Sequence, residues 1–282
     1  MSGTALAFTM IDCLVLVVFT LPVGVYLLLK RKTGLPMKPI GVGILTSCGF
    51  LAVYLMVHRS LFWDSRVLLP KSSRLIFFAI EHPVLFGFCV YSLVAICEVA
   101  LCYFFIGLIA KRYSCIEASV SFGLGFGSAG AVLVGLAALF WSFEIRVVMA
   151  SSRWLGTASE VGVDDLESRF SVYCHSAFNS ALLLVLYIAL SVLLWASATN
   201  RERWWLLPTA MIFRVACSFP ILGLLAPGIS QWWVTAVSAF TTILIAFYAL
   251  RWFHRCQREE KQIMADKNPN SDDPLIELRE IK

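Results

Sequence analysis

The sequence predicts an all-α integral membrane protein, a bundle of seven transmembrane helices. Of its 282 residues, 59% are hydrophobic and 15% are charged, and the mean hydropathy is +0.80. A soluble domain of this length needs many more polar side chains to cover its surface. Apolar segments also recur at lengths near the roughly 20 residues that a helix needs to cross a bilayer. Composition and segment length therefore exclude a soluble globular protein.

Seven segments satisfy this length requirement. The predicted spans are 5–29, 39–57, 75–110, 115–142, 172–198, 204–225 and 232–252. The third span contains Pro83, which favours a tilt or a break there. The spans form one predicted domain, 1–264, and a polar, proline-broken cytoplasmic tail, 265–282, is predicted to be disordered.

Basic residues set the predicted orientation. They follow every second span, as Lys30, Arg31, Lys32 and Lys38, then Lys111 and Arg112, then Arg201 and Arg203, then Arg251, Arg255, Arg258 and Lys261. The positive-inside rule makes these loops cytoplasmic, with the N-terminus lumenal or extracellular and the C-terminus cytoplasmic. The basic residues behind the net charge of +5 lie mainly in the loops that set the orientation, so no nucleic-acid partner is expected.

Small residues form a ladder in the fourth span. Gly123, Gly127, Ala131 and Gly135 recur at four-residue spacing, which aligns them on one helix face. Stripes of small residues let membrane helices approach closely. The ladder is therefore a predicted packing face for a partner helix, and packing inside the chain's own bundle is the alternative.

Charged residues within spans are the next candidates, because a charge in lipid is costly and usually functional. Glu98 and Arg214 are the deepest, and the economical interpretation is an intramembrane ion pair. A structural pair is favoured over a transport or proton-relay role. Asp12 lies near the outer end of the first span and is interpreted as an interfacial group.

Catalytic patterns are missing from the sequence. A zinc site needs three converging ligands, and the histidines, His58, His82, His175 and His254, are scattered with no HExxH. Ser128 has no adjacent base, and Asp12 has no second intramembrane aspartate. The nine cysteines show no paired spacing and are interpreted as small apolar residues. We therefore expect no catalytic residue, no metal and no cofactor.

Several motifs in order carry a family resemblance. They are CEVALCYFF (97–105), Lys111-Arg112, SFGLGFG (121–127), Ser176-Ala-Phe and ATNRERWWLL (198–207). In this order the chain resembles a divergent member of the anterior pharynx-defective (Aph) subunit family of γ-secretase. The resemblance implies a histidine in each of spans five and six, and those positions fall on Tyr187 and Arg214. Arg214 is then expected to partner Glu98 in place of the missing basic groups.

The resemblance implies a non-catalytic scaffold rather than an enzyme. Its implied partners are a presenilin-like protease subunit, a nicastrin-like subunit and a small enhancer subunit, together with membrane lipids. In such a complex, Gly123 and Gly127 would act as a functional GxxxG. Such a complex would support intramembrane proteolysis of membrane proteins and would act in Notch signalling. It would lie in the endoplasmic reticulum and Golgi, or in membranes from the endomembrane system to the plasma membrane.

Two other classes stay open. The first is an intramembrane protease related to the bacterial CAAX-protease-like families, to which the Aph family is distantly similar; it predicts clustered Glu and His within the spans. The second is a small polytopic carrier, which predicts inverted repeats and broken helices. No repeat is found, and Pro83 and Pro220 are the prolines well inside spans.

Overall fold

A computed structural model describes residues 3–62, 81–154, 163–217 and 231–267. Within these ranges the chain is helical and contains no strand, which confirms the predicted all-α class. The α-helices are α1 Gly3–Thr33, α2 Lys38–Phe62, α3 Pro83–Ala110, α4 Glu117–Trp154, α5 Val163–Thr199, α6 Leu206–Ala216 and α7 Gln231–Lys267. A short 3₁₀ turn, Arg201–Arg203, precedes α6.

Several of these helices are long and apolar enough to cross a bilayer. In the described ranges they number four: Lys38–Leu55, Val84–Ala110, Ala177–Thr199 and Trp232–Ile263. The chain is therefore a multi-pass membrane protein. The count of seven spans, the orientation of the termini and the compartment stay predictions.

The helix ends differ from the predicted spans. α3 begins at Pro83, directly after His82, because proline lacks an N–H and suits the first position of a helix. α4 and α7 continue to Trp154 and Lys267, well past the predicted ends at 142 and 252. α7 also includes the first residues of the predicted tail, whose remainder, 268–282, lies outside the described residues.

α5 is the central helix of the bundle. It packs against α1, α3, α4, α6 and α7, and 61% of its span is buried, against 33% for the span of α3. The largest fully buried side chain in the described ranges, Trp195, lies on α5. The hydrophobic core is therefore built around this helix.

Glycines bring α4 close to α2. A Cβ on Gly125 of α4 would lie 2.9 Å from the Cα of Ile40 in α2, and a Cβ on Gly43 of α2 would lie 2.8 Å from the backbone nitrogen of Phe126. Real side chains do not tolerate such distances to backbone atoms. The separation of α2 and α4 therefore requires glycine at both positions.

A polar cluster explains why α7 extends so far. Arg203 Nη2 contacts the Glu259 carboxylate oxygens at 2.6 and 2.7 Å, and its guanidinium lies over the ring of Trp252. Glu260 accepts a hydrogen bond of 3.3 Å from the backbone N–H of Ile116. These contacts connect the last turns of α7 to the start of α4 and to the 3₁₀ turn. Contacts with other elements therefore stabilise the C-terminal part of α7, which is too polar to be predicted as part of the seventh span.

We expect Gly43→Ala to lower the melting temperature of the detergent-solubilised protein. The added methyl group meets backbone atoms that cannot move aside, and overpacking of this kind typically costs ~1–3 kcal/mol. Gly41→Ala is the matched control, because nothing lies within 4 Å of its Cβ position. Alanine favours a helix over glycine, so this control should be neutral or stabilising. Equal melting temperatures for the two variants would contradict the close approach of α2 and α4.

When the third span is taken from the start of α3 at Pro83, the predicted orientation places Glu81 on the lumenal or extracellular side and Gln262 on the cytoplasmic side. Both residues are exposed, whereas the native Cys256 is buried and unsuited to labelling. Glu81→Cys should react with an impermeant thiol reagent from outside and Gln262→Cys only after permeabilisation. The background replaces the exposed native cysteines, Cys13, Cys48, Cys89 and Cys97. Reaction of both from one side would contradict the orientation.

Candidate functional site

Three helices bring polar side chains together inside the apolar bundle. Arg214 Nε of α6 donates to Glu98 Oε2 of α3 at 2.8 Å. The Tyr187 hydroxyl of α5 donates to the other carboxylate oxygen, Oε1, and Arg214 Nη2 lies 3.3 Å from the Tyr187 oxygen. Each residue thus contacts the other two. We call Glu98, Tyr187 and Arg214 the polar centre.

The polar centre is shielded from its surroundings. The side chains of Glu98 and Arg214 are 5% and 13% exposed. An unpaired charge at such a position is strongly unfavourable, whereas a carboxylate and a guanidinium in contact leave the site neutral. The fixed fork of arginine and the phenol hydroxyl together occupy both oxygens of the carboxylate. The centre is therefore a neutral hydrogen-bonded unit.

A small cavity adjoins the carboxylate. Its volume is about 10 Å³, and the polar side chains that line it belong to Glu98, Tyr187 and Ser191. That volume is near the lower limit for a single water molecule, which also needs at least two polar partners. The cavity is therefore no larger than one water molecule, its lining is mostly apolar, and it is too small for a peptide.

The glycine ladder forms one wall of this region. A Cβ on Gly123 would meet Ser191 Oγ and would lie 2.6 Å from the carbonyl oxygen of Tyr187, and a Cβ on Gly127 would lie 2.9 Å from the Cα of Leu184. Both glycines thus face α5 of the same chain. Ala131 is also buried. The surroundings of Gly135 lie outside the described side chains, and a partner-helix role for the ladder stays a prediction.

The remaining candidates lie apart from the polar centre. His175 is buried, with Nδ1 2.9 Å from Thr235 Oγ1 and its ring against Trp232. His82 and His254 are exposed, and the side chains of Asp12 and His58 lie outside the part of the chain that is described. All nine cysteines are free, as their spacing predicts.

The described residues do not fit a metal ion. No group of three His, Cys, Asp or Glu side chains converges among them. Glu98 and Cys102, one turn apart on α3, both line the small cavity, but the other two members of the polar centre are a tyrosine and an arginine. A structural or catalytic zinc site takes at least three protein ligands.

Sequence reasoning found part of the polar centre. It paired Glu98 with Arg214, and the structure places them in contact, although the role of the pair stays a prediction. It named Tyr187 only as a position where a family histidine was expected, and missed its contact with the carboxylate. Tyr187 carries no charge and lies in a largely apolar segment of α5, so the residue type alone does not mark it.

Comparison with known proteins identifies the family. A family model described as YhfC intramembrane metalloprotease matches residues 17–239, most of the chain and all of the polar centre. Neither the curated proteins nor the solved structures give a match. The chain therefore belongs to the YhfC intramembrane metalloprotease family.

This membership corrects three predictions. The resemblance to the Aph subunit family is wrong, because the matching family is a different one. The non-catalytic scaffold of a γ-secretase-like complex, with its link to Notch signalling, is wrong for the same reason. The expectation that the chain is not an enzyme is also wrong, since the family is named for a protease activity. The protease alternative fits better, and the partner subunits stay untested predictions.

We predict that Glu98 and Arg214 are energetically coupled. Glu98→Gln and Arg214→Gln should each lower the folded yield and the melting temperature, because breaking a buried pair typically costs ~3–5 kcal/mol. The double variant should recover part of the loss. Arg255→Gln is the control, because Arg255 is 61% exposed and its pair with Glu259 lies on the helix surface. Additive losses in the double variant would contradict the coupling.

Proposed function

We propose that this protein is an intramembrane protease that hydrolyses peptide bonds of membrane-embedded segments, with the polar centre as its reaction centre. Membership of the YhfC family over residues 17–239 is the observation that carries this proposal. The matched range includes Glu98, Tyr187 and Arg214, so all three members of the polar centre belong to the part of the chain that defines the family.

The chemistry of the polar centre suits hydrolysis. Cleavage of a peptide bond needs a group that accepts a proton from water and donors that stabilise the oxyanion of the tetrahedral intermediate. Glu98 is a buried carboxylate, and the Arg214 guanidinium and the Tyr187 hydroxyl both donate toward it. We assign Glu98 as the proton acceptor and the two donors as candidates for binding the oxyanion.

The small cavity lies beside the groups that this assignment uses. It lies against Glu98, Tyr187 and Ser191, where a water molecule could hydrogen-bond to the carboxylate that would accept its proton. The cavity does not hold a peptide, so a substrate enters only after the bundle opens. We therefore interpret the described arrangement as a closed state.

The position of Glu98 indicates the substrate class. Glu98 precedes Ala110, the last residue of α3, by 12 residues, which is roughly 18 Å of helix. That distance is more than half of the hydrocarbon thickness of a typical bilayer. The scissile bond would lie within the membrane, and single-span segments or the helices of other membrane proteins are the substrates we propose.

The proposal predicts that the wild-type protein, reconstituted in liposomes, cleaves peptides carrying one apolar segment of about 20 residues. Product masses and their rate of appearance are measured by mass spectrometry. Glu98→Gln should lower the rate about 100-fold or more, because a positioned acid or base contributes typically ~10²–10⁴-fold.

Arg255→Gln is the control for this experiment and should cleave at the wild-type rate, since Arg255 is exposed and pairs with Glu259 on the surface of α7. The melting temperatures of all variants are measured in parallel, so that a folding defect is not taken for a loss of chemistry. No product from the wild-type protein, with inserted peptide verified, would overturn the protease assignment. An unchanged rate in a folded Glu98→Gln variant would overturn the role of Glu98.

A further inference from the structure

We infer that the polar centre of this chain holds no metal ion, and that Arg214 supplies the positive charge that neutralises Glu98 there. The inference rests on the proposed function only for the identity of the reaction centre. It departs from the metal dependence that the family name implies. Its support comes from the geometry and charge of the three residues.

The hydrogen bonds of the carboxylate are the first support. Oε2 of Glu98 accepts from Arg214 Nε at 2.8 Å and Oε1 accepts from the Tyr187 hydroxyl, so each carboxylate oxygen already has a hydrogen-bond donor as its partner. Arginine has five donors and no acceptor, and it stays protonated in proteins. Arg214 therefore cannot serve as a ligand, and it places a permanent positive charge against Glu98 Oε2.

The charge balance is the second support. Glu98 and Arg214 sum to zero in surroundings with few other polar groups. A divalent cation added beside them would raise the local charge to about +2, and like charges repel strongly where water is excluded. The pair is therefore a substitute for a metal rather than a partner to one.

The third support is that too few other metal-ligand side chains lie beside Glu98 in the described part of the chain. Cys102 lines the same cavity and raises the number of ligand-type side chains there to two, below the three of a zinc site. The buried His175 lies 12 residues before Tyr187 on α5, which is roughly 18 Å of helix. Its Nδ1 is hydrogen-bonded to Thr235. It therefore cannot complete a set at the polar centre.

Metal analysis of the purified full-length protein tests the inference without any measurement of proteolysis. The protein is incubated with zinc chloride, passed through a desalting column and analysed by inductively coupled plasma mass spectrometry. Wild type and Glu98→Gln should both carry substoichiometric zinc, and 1,10-phenanthroline should leave the wild-type melting temperature unchanged.

A gain-of-binding variant sharpens the test. Tyr187→His together with Arg214→His removes the guanidinium and offers two imidazoles beside the Glu98 carboxylate, so this variant should bind about one zinc ion per chain. The matched control is Tyr187→Ala together with Arg214→Ala, which removes the same groups without adding ligands and should bind none.

Stoichiometric zinc in the wild-type protein that is lost in Glu98→Gln would overturn the inference. Zinc that stays bound in the Glu98→Gln variant is held by other residues, and this result would support the inference. A failure to detect proteolysis bears only on the proposed function, because zinc content is measured independently of any substrate.

Discussion

The structure depends on the neutralisation of one buried carboxylate. Glu98 lies in the middle of α3, where an unpaired charge would destabilise the bundle. Arg214 and Tyr187 satisfy it from two other helices. α6 is only 11 residues long, and its main contacts are with α3 and α5. The ion pair therefore adds a polar link between α3 and α6 to the apolar packing of this short helix, in which Leu206 and Ala210 are buried.

Close helix approach makes this arrangement possible. Gly123 lets α4 approach the backbone of α5 at Tyr187, and the ring of Phe126 packs 4.8 Å from the ring of Tyr187. A larger residue at Gly123 would push α5 away and carry the phenol hydroxyl with it. Gly123, which lets the two helices pack closely, therefore also helps to set the geometry of the polar centre.

Sequence reasoning recovers features that follow from strong physical penalties. Charges in apolar segments need partners, which is why Glu98 and Arg214 were paired, and a glycine ladder indicates close packing whichever helix it meets. The role of Tyr187 depends on how α5 is rotated in the bundle, and the extension of α7 depends on contacts with Ile116 and Arg203. Neither is a local property. The family resemblance failed because short apolar motifs reflect helix packing, which unrelated activities share.

The family is named for a metalloprotease, yet this chain places an arginine and a tyrosine around its buried glutamate. Our central claim is that this ion pair takes the place of a metal ion at the polar centre. The most direct measurement is an X-ray structure with anomalous diffraction data collected on both sides of the zinc absorption edge. Our account predicts that the Arg214 guanidinium lies within hydrogen-bonding distance of the Glu98 carboxylate, with no anomalous peak beside it. An anomalous peak bound to Glu98, with the Arg214 side chain turned away, would contradict the account.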